Sequence, residues 1–271
     1  MKEKREILVG ILFFTLGMAV QAQDTDGGVW NHKKCAVSLT YDDGLNIDLD
    51  KVIPVLDSLN FKGTFYIPGN SPVLDKRMSE WRAAANNGHE LGNHTLFHAC
   101  EGGMAGREWV KPDYDLSKYS VQRIIDEVLL ANTLLKAVDG KTKRTFAYAC
   151  GDNKVDGVYF MDKLKDDFVA ARGVKSEMLK ISEVDLYNIG CYMVNGQSGD
   201  ELISLVKKAM ETNTLLVFLF HGVGGGHDIN VSEEAHRKLL HFLKQNEKDI
   251  WVAPLIEIAE YIKDYRRLNK L

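Results

Sequence analysis

Short runs of apolar and β-branched residues alternate along the chain with longer segments in which apolar positions recur every three to four residues. The short runs, at 36–41, 63–67, 90–93, 144–149, 168–171, 186–193, 215–220 and 250–253, read as strands. The longer segments, at 49–60, 75–87, 120–138, 199–212, 233–248 and 254–261, read as helices. The helical period is clearest over 120–138, where Val121, Ile124, Ile125, Val128, Leu129 and Leu135 fall on one stripe. Ser120 offers that helix an N-cap and Asp139-Gly140 a stop. Such alternation of strand and helix predicts a parallel sheet or barrel of βα units, whose chemistry gathers at the carboxyl ends of the strands.

Composition narrows the class. With 271 residues, 45% hydrophobic and 27% charged, the chain can bury one substantial core, and no linker divides it. The formal net charge of -4 comes from interspersed charges without a basic stripe, which speaks against a nucleic-acid partner. Lys2, Lys4 and Arg5 precede an apolar stretch over 7–20, and small residues surround Ala22. Residues 1–22 therefore read as a signal peptide and 23–271 as one catalytic domain. The apolar stretch is short of the ~20 residues that span a bilayer, so no stable membrane insertion is expected after cleavage. Export would place the protein in the periplasm or outside the cell. Cys35, Cys100, Cys150 and Cys191 would lie in a compartment that permits disulfides, yet a chain of this size folds without them, and free buried thiols are the expectation.

Chemistry-bearing residues close several of the strand-like runs: Asp42-Asp43-Gly44, His94, Cys150-Gly151, Arg172 and His221. A carboxylate and two imidazoles suit a divalent ion with a position open for water. His94 and His98, four apart, can face one way from a helical turn or a tight loop. One aspartate of the pair would complete the ligand set, and the other would take a proton from water. His221 suits an acid that titrates near neutrality. The glycines at 222 and 224–226 lack a following Gly-Lys-Ser/Thr, so they form no nucleotide cradle. His227 and Asp228, just beyond the glycines, read as a solvated loop, with reach to substrate as the alternative, and His32, His89, His236 and His241 read as surface or packing residues.

Four segments carry a resemblance: Thr40-Tyr41-Asp42-Asp43-Gly44, His94-Thr95-Leu96-Phe97-His98, Arg144-Thr145-Phe146-Ala147-Tyr148-Ala149-Cys150-Gly151 and Leu219-Phe220-His221-Gly222. In order, they resemble the motifs of the polysaccharide deacetylases, the NodB homology domain of carbohydrate esterase family four. The resemblance implies a distorted (β/α) barrel and a metal-dependent hydrolase that removes acetyl groups from acetylated oligo- or polysaccharide, from nitrogen or from oxygen. It implies Asp42 as general base, Asp43, His94 and His98 as metal ligands, and His221 as acid. The backbone N–H of Cys150 would serve the oxyanion. Zinc is the expected ion, with cobalt or nickel also compatible.

Two departures stand out. The family's third motif has an arginine followed by two prolines, where this chain has Ala147-Tyr148-Ala149-Cys150-Gly151; Arg144 or Arg172 would replace that arginine. The family's aspartate-tryptophan motif is missing where Ala170-Ala171-Arg172-Gly173 stands, so His221 lacks an assigned partner. Arg172 is also expected on the substrate side, together with Trp109 in the long connection 99–119, which holds Tyr114 and Tyr119 as well. A catalytically silent carbohydrate-binding protein on the same barrel is the alternative, and a metal hydrolase for small amides a third reading.

Overall fold

The structure is a computed structural model and describes residues 28–271; the expected signal peptide, 1–22, lies outside the described residues. Among the described residues, twelve strands occur in chain order: β1 Cys35–Asp42, β2 Thr64–Ile67, β3 Glu90–Asn93, β4 Thr145–Ala147, β5 Lys154–Val155, β6 Val158–Tyr159, β7 Ala170–Arg172, β8 Tyr192–Met193, β9 Leu215–Phe220, β10 Gly222–Val223, β11 Asn230–Val231 and β12 Ile250–Val252. The α-helices are α1 Ile53–Ser58, α2 Pro72–Lys76, α3 Met78–Asn86, α4 Val121–Asp139, α5 Gly199–Thr212, α6 Glu233–Gln245 and α7 Leu255–Asn269.

Eight strands form one sheet in the order β7-β4-β3-β2-β1-β9-β8, with β12 beside the first half of β1, and every pairing in it is parallel. The chain over 186–194 brings the sheet's two edges together. Its first half bonds to β7, through Ala171 N to Leu186 O at 2.8 Å and Ile189 N to Ala171 O at 2.9 Å. Its second half pairs with β9 as β8. The result is a distorted barrel. Because this stretch is shared between two partners, the strand expected over 186–193 condenses to Tyr192–Met193.

Side chains of β1 alternate between two surroundings, as a strand buried on both faces requires. Val37, Leu39 and Tyr41 pack outward against Leu202 and Val206 of α5 and Leu239, Leu240 and Leu243 of α6. The stripe of α6 follows from its helical spacing, with Ser232 capping Ala235 N at 3.1 Å. Inside the barrel Ala36 packs with Val217 and Leu219, and polar groups are set among these apolar ones. Glu90 accepts from Thr64 Oγ1 (2.8 Å), Thr145 N (2.7 Å), Thr145 Oγ1 (2.7 Å) and Ile256 N (3.0 Å), the last at the N-terminus of α7.

Register fixes where the chemistry can sit. Asp42 lies opposite Tyr66, Tyr41 opposite Phe220, Asn93 opposite Phe146 and Ala147 opposite Arg172. The carboxyl ends of β1, β3, β4, β7 and β9 therefore share one rim. Smaller departures from the expected elements are local. The strand over 144–149 stops at Ala147, where a 3-10 turn, Ala149–Gly151, takes over. The helix over 75–87 breaks at Arg77, between α2 and α3, and the last helix runs on to Asn269. Among the described residues, no helix is long and apolar enough to cross a membrane.

Candidate metal and acid-base site

β1 ends at Asp42, and the chain turns at once through Asp43 (φ 76°) and Gly44 (φ 57°). Aspartate tolerates the left-handed region better than most residues. At Gly44 a Cβ would come within 2.9 Å of Ile67 Cγ2, so space as well as φ calls for glycine. Asp48 braces the turn by accepting from Leu45 N at 2.8 Å, and burial raises its carboxyl well above the usual range.

The turn sends the two aspartates to different partners. Asp42 is buried, and both its oxygens accept from Arg172 Nη2, at 2.7 and 2.5 Å. Burial alone would raise the Asp42 pKa, but Arg172, then His94 and His221, outweigh it and hold the carboxyl below its ordinary value. Arg172 itself is 0% exposed, with its guanidinium 5.1 Å from the centre of the Tyr66 ring. A side chain so enclosed does not reach a substrate, so the expected substrate-side role for Arg172 gives way to a structural pairing with Asp42. Arg144 points elsewhere, to Leu91 O (2.7 Å), Lys141 O (2.7 Å) and Asp139.

After β3, a tight loop presents His94 and His98. Asn93 Oδ1 accepts from Thr95 N (2.8 Å), and Thr95 Oγ1 accepts from His98 N (2.8 Å). Thr95 and His98 both have positive φ, and these side-chain bonds hold a loop that a helical turn would otherwise form. His94 Nδ1 donates to Ala147 O at 2.9 Å, which leaves the Nε2 lone pair facing the rim. Burial, against the opposing pull of Asp42, lowers the His94 pKa to about 4 and keeps the ring neutral.

His94 Nε2 stands 3.7 Å, and His98 Nε2 3.5 Å, from Asp43 Oδ1. All three donors lie within 4.8 Å of one another. Two ligands each about 2.1 Å from an ion and at the tetrahedral angle stand about 3.4 Å apart, so Asp43, His94 and His98 fit one divalent cation.

The expectation of free thiols fails for two of the four cysteines. Cys100 and Cys150 form a disulfide across 50 residues, while Cys35 and Cys191 are free and buried. The bridge ties the loop after His98 to the turn at Ala149–Gly151. Arg107 reinforces it through Asp152 Oδ2 (2.6 Å) and Cys150 O (3.1 Å). His98, Cys100 and Cys150 also lie close enough to suggest a second ligand set, but the two sulfurs are bonded to each other and are not thiolates. Cys150, expected to lend its backbone N–H to the oxyanion, sits on this rim with φ 55°.

His221 follows β9 with its Nε2 4.0 Å from Asp43 Oδ2. Its Nδ1 is buried and has no hydrogen-bond partner among the described residues. Burial lowers its pKa, with Asp42 and Asp43 opposing. His227, read from sequence as a solvated loop residue, stacks on His221 with ring centres 4.7 Å apart and has its Nε2 3.7 Å from Asp43 Oδ2. Trp109 is 57% exposed, 6.1 Å from the His98 ring. Tyr114 and Tyr119 serve packing, Tyr114 against Phe97 (5.0 Å) and Tyr119 beneath Arg123 (3.6 Å). Together the rim holds an ionised carboxylate, an ion-sized set of three donors, and an imidazole opposite them.

A barrel with this rim is a scaffold able to hold a divalent ion beside a carboxylate and an imidazole. The polysaccharide deacetylase family model matches residues 30–165, and the chain belongs to that family. It is a family of metal-dependent deacetylases that also contains pseudoenzymes. The chain is similar to a gellan lyase of a Bacillus species (28% identity over 154 residues, 56% of this chain). It is also similar to a peptidoglycan-N-acetylglucosamine deacetylase of Bacillus cereus (36% over 72 residues, 25% of this chain). It spans only 5% and 24% of the lengths of those two relatives. Among solved structures, a Mycobacterium smegmatis protein assigned to the polysaccharide deacetylases superposes with TM-score 0.58 at 16% identity, covering 88% of this chain and 92% of that one. A family 4 acetyl xylan esterase from Clostridium thermocellum, solved with a cobalt ion, gives 0.51 at 19% identity, covering 82% and 89%. A CE4 family pseudoenzyme from Bacillus anthracis gives 0.52 at 16%, covering 84% and 66%.

Proposed function

We propose that this chain is an exported, metal-dependent carbohydrate deacetylase that hydrolyses N-acetyl or O-acetyl groups of an oligo- or polysaccharide and releases acetate. The observation that carries the reading is Asp43 standing between two groups: Oδ1 faces Nε2 of both His94 and His98, and Oδ2 faces His221, with the Arg172-bound Asp42 alongside at 3.7 Å from His94 Nε2. A bound divalent ion, zinc foremost and cobalt or nickel as alternatives, would supply Lewis-acid polarisation of the acetyl carbonyl and a more acidic water.

The remaining work falls to the chain's own groups. Asp42, kept ionised by Arg172, takes a proton from the attacking water. His221, whose burial makes its protonated form more acidic, gives a proton to the departing sugar nitrogen or oxygen. The Cys150 N–H is the candidate donor to the developing oxyanion, and Trp109 offers an exposed face on which a sugar ring can stack. Export, to the periplasm or beyond, is part of the proposal. It rests on the N-terminal charge and apolar pattern and on the Cys100–Cys150 disulfide, a bond that oxidising compartments favour.

Acetate release from acetylated chitin fragments, peptidoglycan and xylan, measured on chelator-stripped protein with each ion restored in turn, tests this. Asp42→Asn should abolish a release that the wild type shows. One observation favours the silent carbohydrate-binding reading instead: the partnerless Nδ1 of His221. Glycan binding with no release under any ion would establish that reading.

A further inference from the structure

Beyond His221 the chain forms a loop whose shape depends on three successive glycines. Gly224, Gly225 and Gly226 have φ of 69°, 121° and 87°, a run that side-chain-bearing residues do not sustain. Gly222 N bonds to Ile229 O (3.0 Å), Gly224 N to Val231 O (2.7 Å) and Gly225 N to Asn230 Oδ1 (3.0 Å). The loop is thus folded back on itself and lays His227 against His221, with the two rings 22° from parallel.

The backbone also selects the tautomer of the His227 ring. Ile229 N donates to its Nδ1 at 2.9 Å. A ring nitrogen that accepts a hydrogen bond carries no proton, so the proton resides on Nε2. That nitrogen is therefore a donor with no lone pair for an ion. His94 is arranged in the opposite sense, since its Nδ1 donates to Ala147 O and its Nε2 lone pair is free. Asp43 lies between the two kinds of imidazole. Its Oδ1 meets the lone-pair side, and its Oδ2 meets His227 Nε2 at 3.7 Å, just beyond direct hydrogen-bond length.

The geometry points to His227 as a positioning residue for Asp43: its Nε2–H stands 3.7 Å from Oδ2, and closing that short gap to a hydrogen bond would fix Oδ2 and turn Oδ1 toward the ion. This rests on the reading of Asp43, His94 and His98 as ligands. Groups that orient a ligand typically change metal affinity by about 10- to 100-fold when removed.

The test is an equilibrium zinc titration of the chelator-stripped full chain, with folding followed by circular dichroism. His227→Ala should weaken zinc about 10- to 100-fold. His227→Gln, which keeps an N–H donor at the end of a side chain of similar reach, should recover most of the loss. In an Asp43→Asn background, His227→Ala should cost nothing further. Should His227→Ala misfold, His227→Leu, which fills the space without a donor, replaces it in the comparison with His227→Gln. Wild-type affinity in the donorless variant, or no recovery with glutamine, overturns the inference while leaving the ligand set standing. Zinc binding indifferent to Asp43→Asn overturns both.

Discussion

His94 and His221 are both largely buried imidazoles at strand ends facing Asp43, yet they are held differently. His94 is fixed at its far nitrogen by a backbone carbonyl, and its loop by Asn93, Thr95 and a disulfide two residues beyond His98. His221 is fixed by its strand and by stacking alone, with Nδ1 unpartnered among the described residues. Ion ligands must be held in a set geometry before the ion arrives, since misplacing one loses affinity. His221, with no orienting partner on Nδ1 among the described residues, has only its strand and the stacked His227 ring to set its direction.

The largest effects should separate these two halves. His94→Ala should remove both ion binding and acetate release, whereas His221→Ala should keep the ion and lower kcat by about 10²- to 10⁴-fold. Paired ion and rate measurements on the two variants show whether the separation holds. Next comes the buried pair beneath them. Arg172→Met leaves the Asp42 carboxylate buried without its counter-charge, so urea unfolding should show a loss of about 3–5 kcal/mol, with part of it recovered in the double variant with Asp42→Asn. Replacing Cys100 and Cys150 with alanine should destabilise by about 2–4 kcal/mol and weaken the ion as well. The same change at Cys35 or Cys191 should leave the ion affinity alone.

The smallest effect belongs to the acid half. His236, under Phe220 and bonded to Tyr41 Oη at 2.8 Å, has its pKa lowered to about 3 by burial. The unfolded chain then binds the proton more readily, so the stability present above about pH 6.5 declines as pH falls toward 3. About 2 kcal/mol of this contribution should be gone by pH 5, and His236→Phe should flatten that part of the stability profile.

How much of this was legible in the sequence follows from range. Periodicity is a local signal, and it located the eight strands of the main sheet and the longer helices, including the ends that carry Asp42, His94, Arg172 and His221, but not the two-residue strands β5, β6, β10 and β11. The rim arises from parallel pairing in register, which the βα alternation implied. The Arg172–Asp42 pair, 130 residues apart, and the Cys100–Cys150 bridge depend on which strand ends meet across the barrel, and spacing does not encode that. His227 was missed for a related reason. Its glycine loop read as solvated because three glycines signal freedom, whereas here their positive φ values serve one compact turn. A histidine directly after such a run, so close to a candidate acid, was the available clue.

The most direct test is the ion itself. Isothermal titration of chelator-stripped full chain with zinc should give one site per chain, and His98→Ala should lose it while keeping the wild-type circular dichroism. Undiminished binding in a variant lacking Asp43, His94 and His98 together would contradict the account.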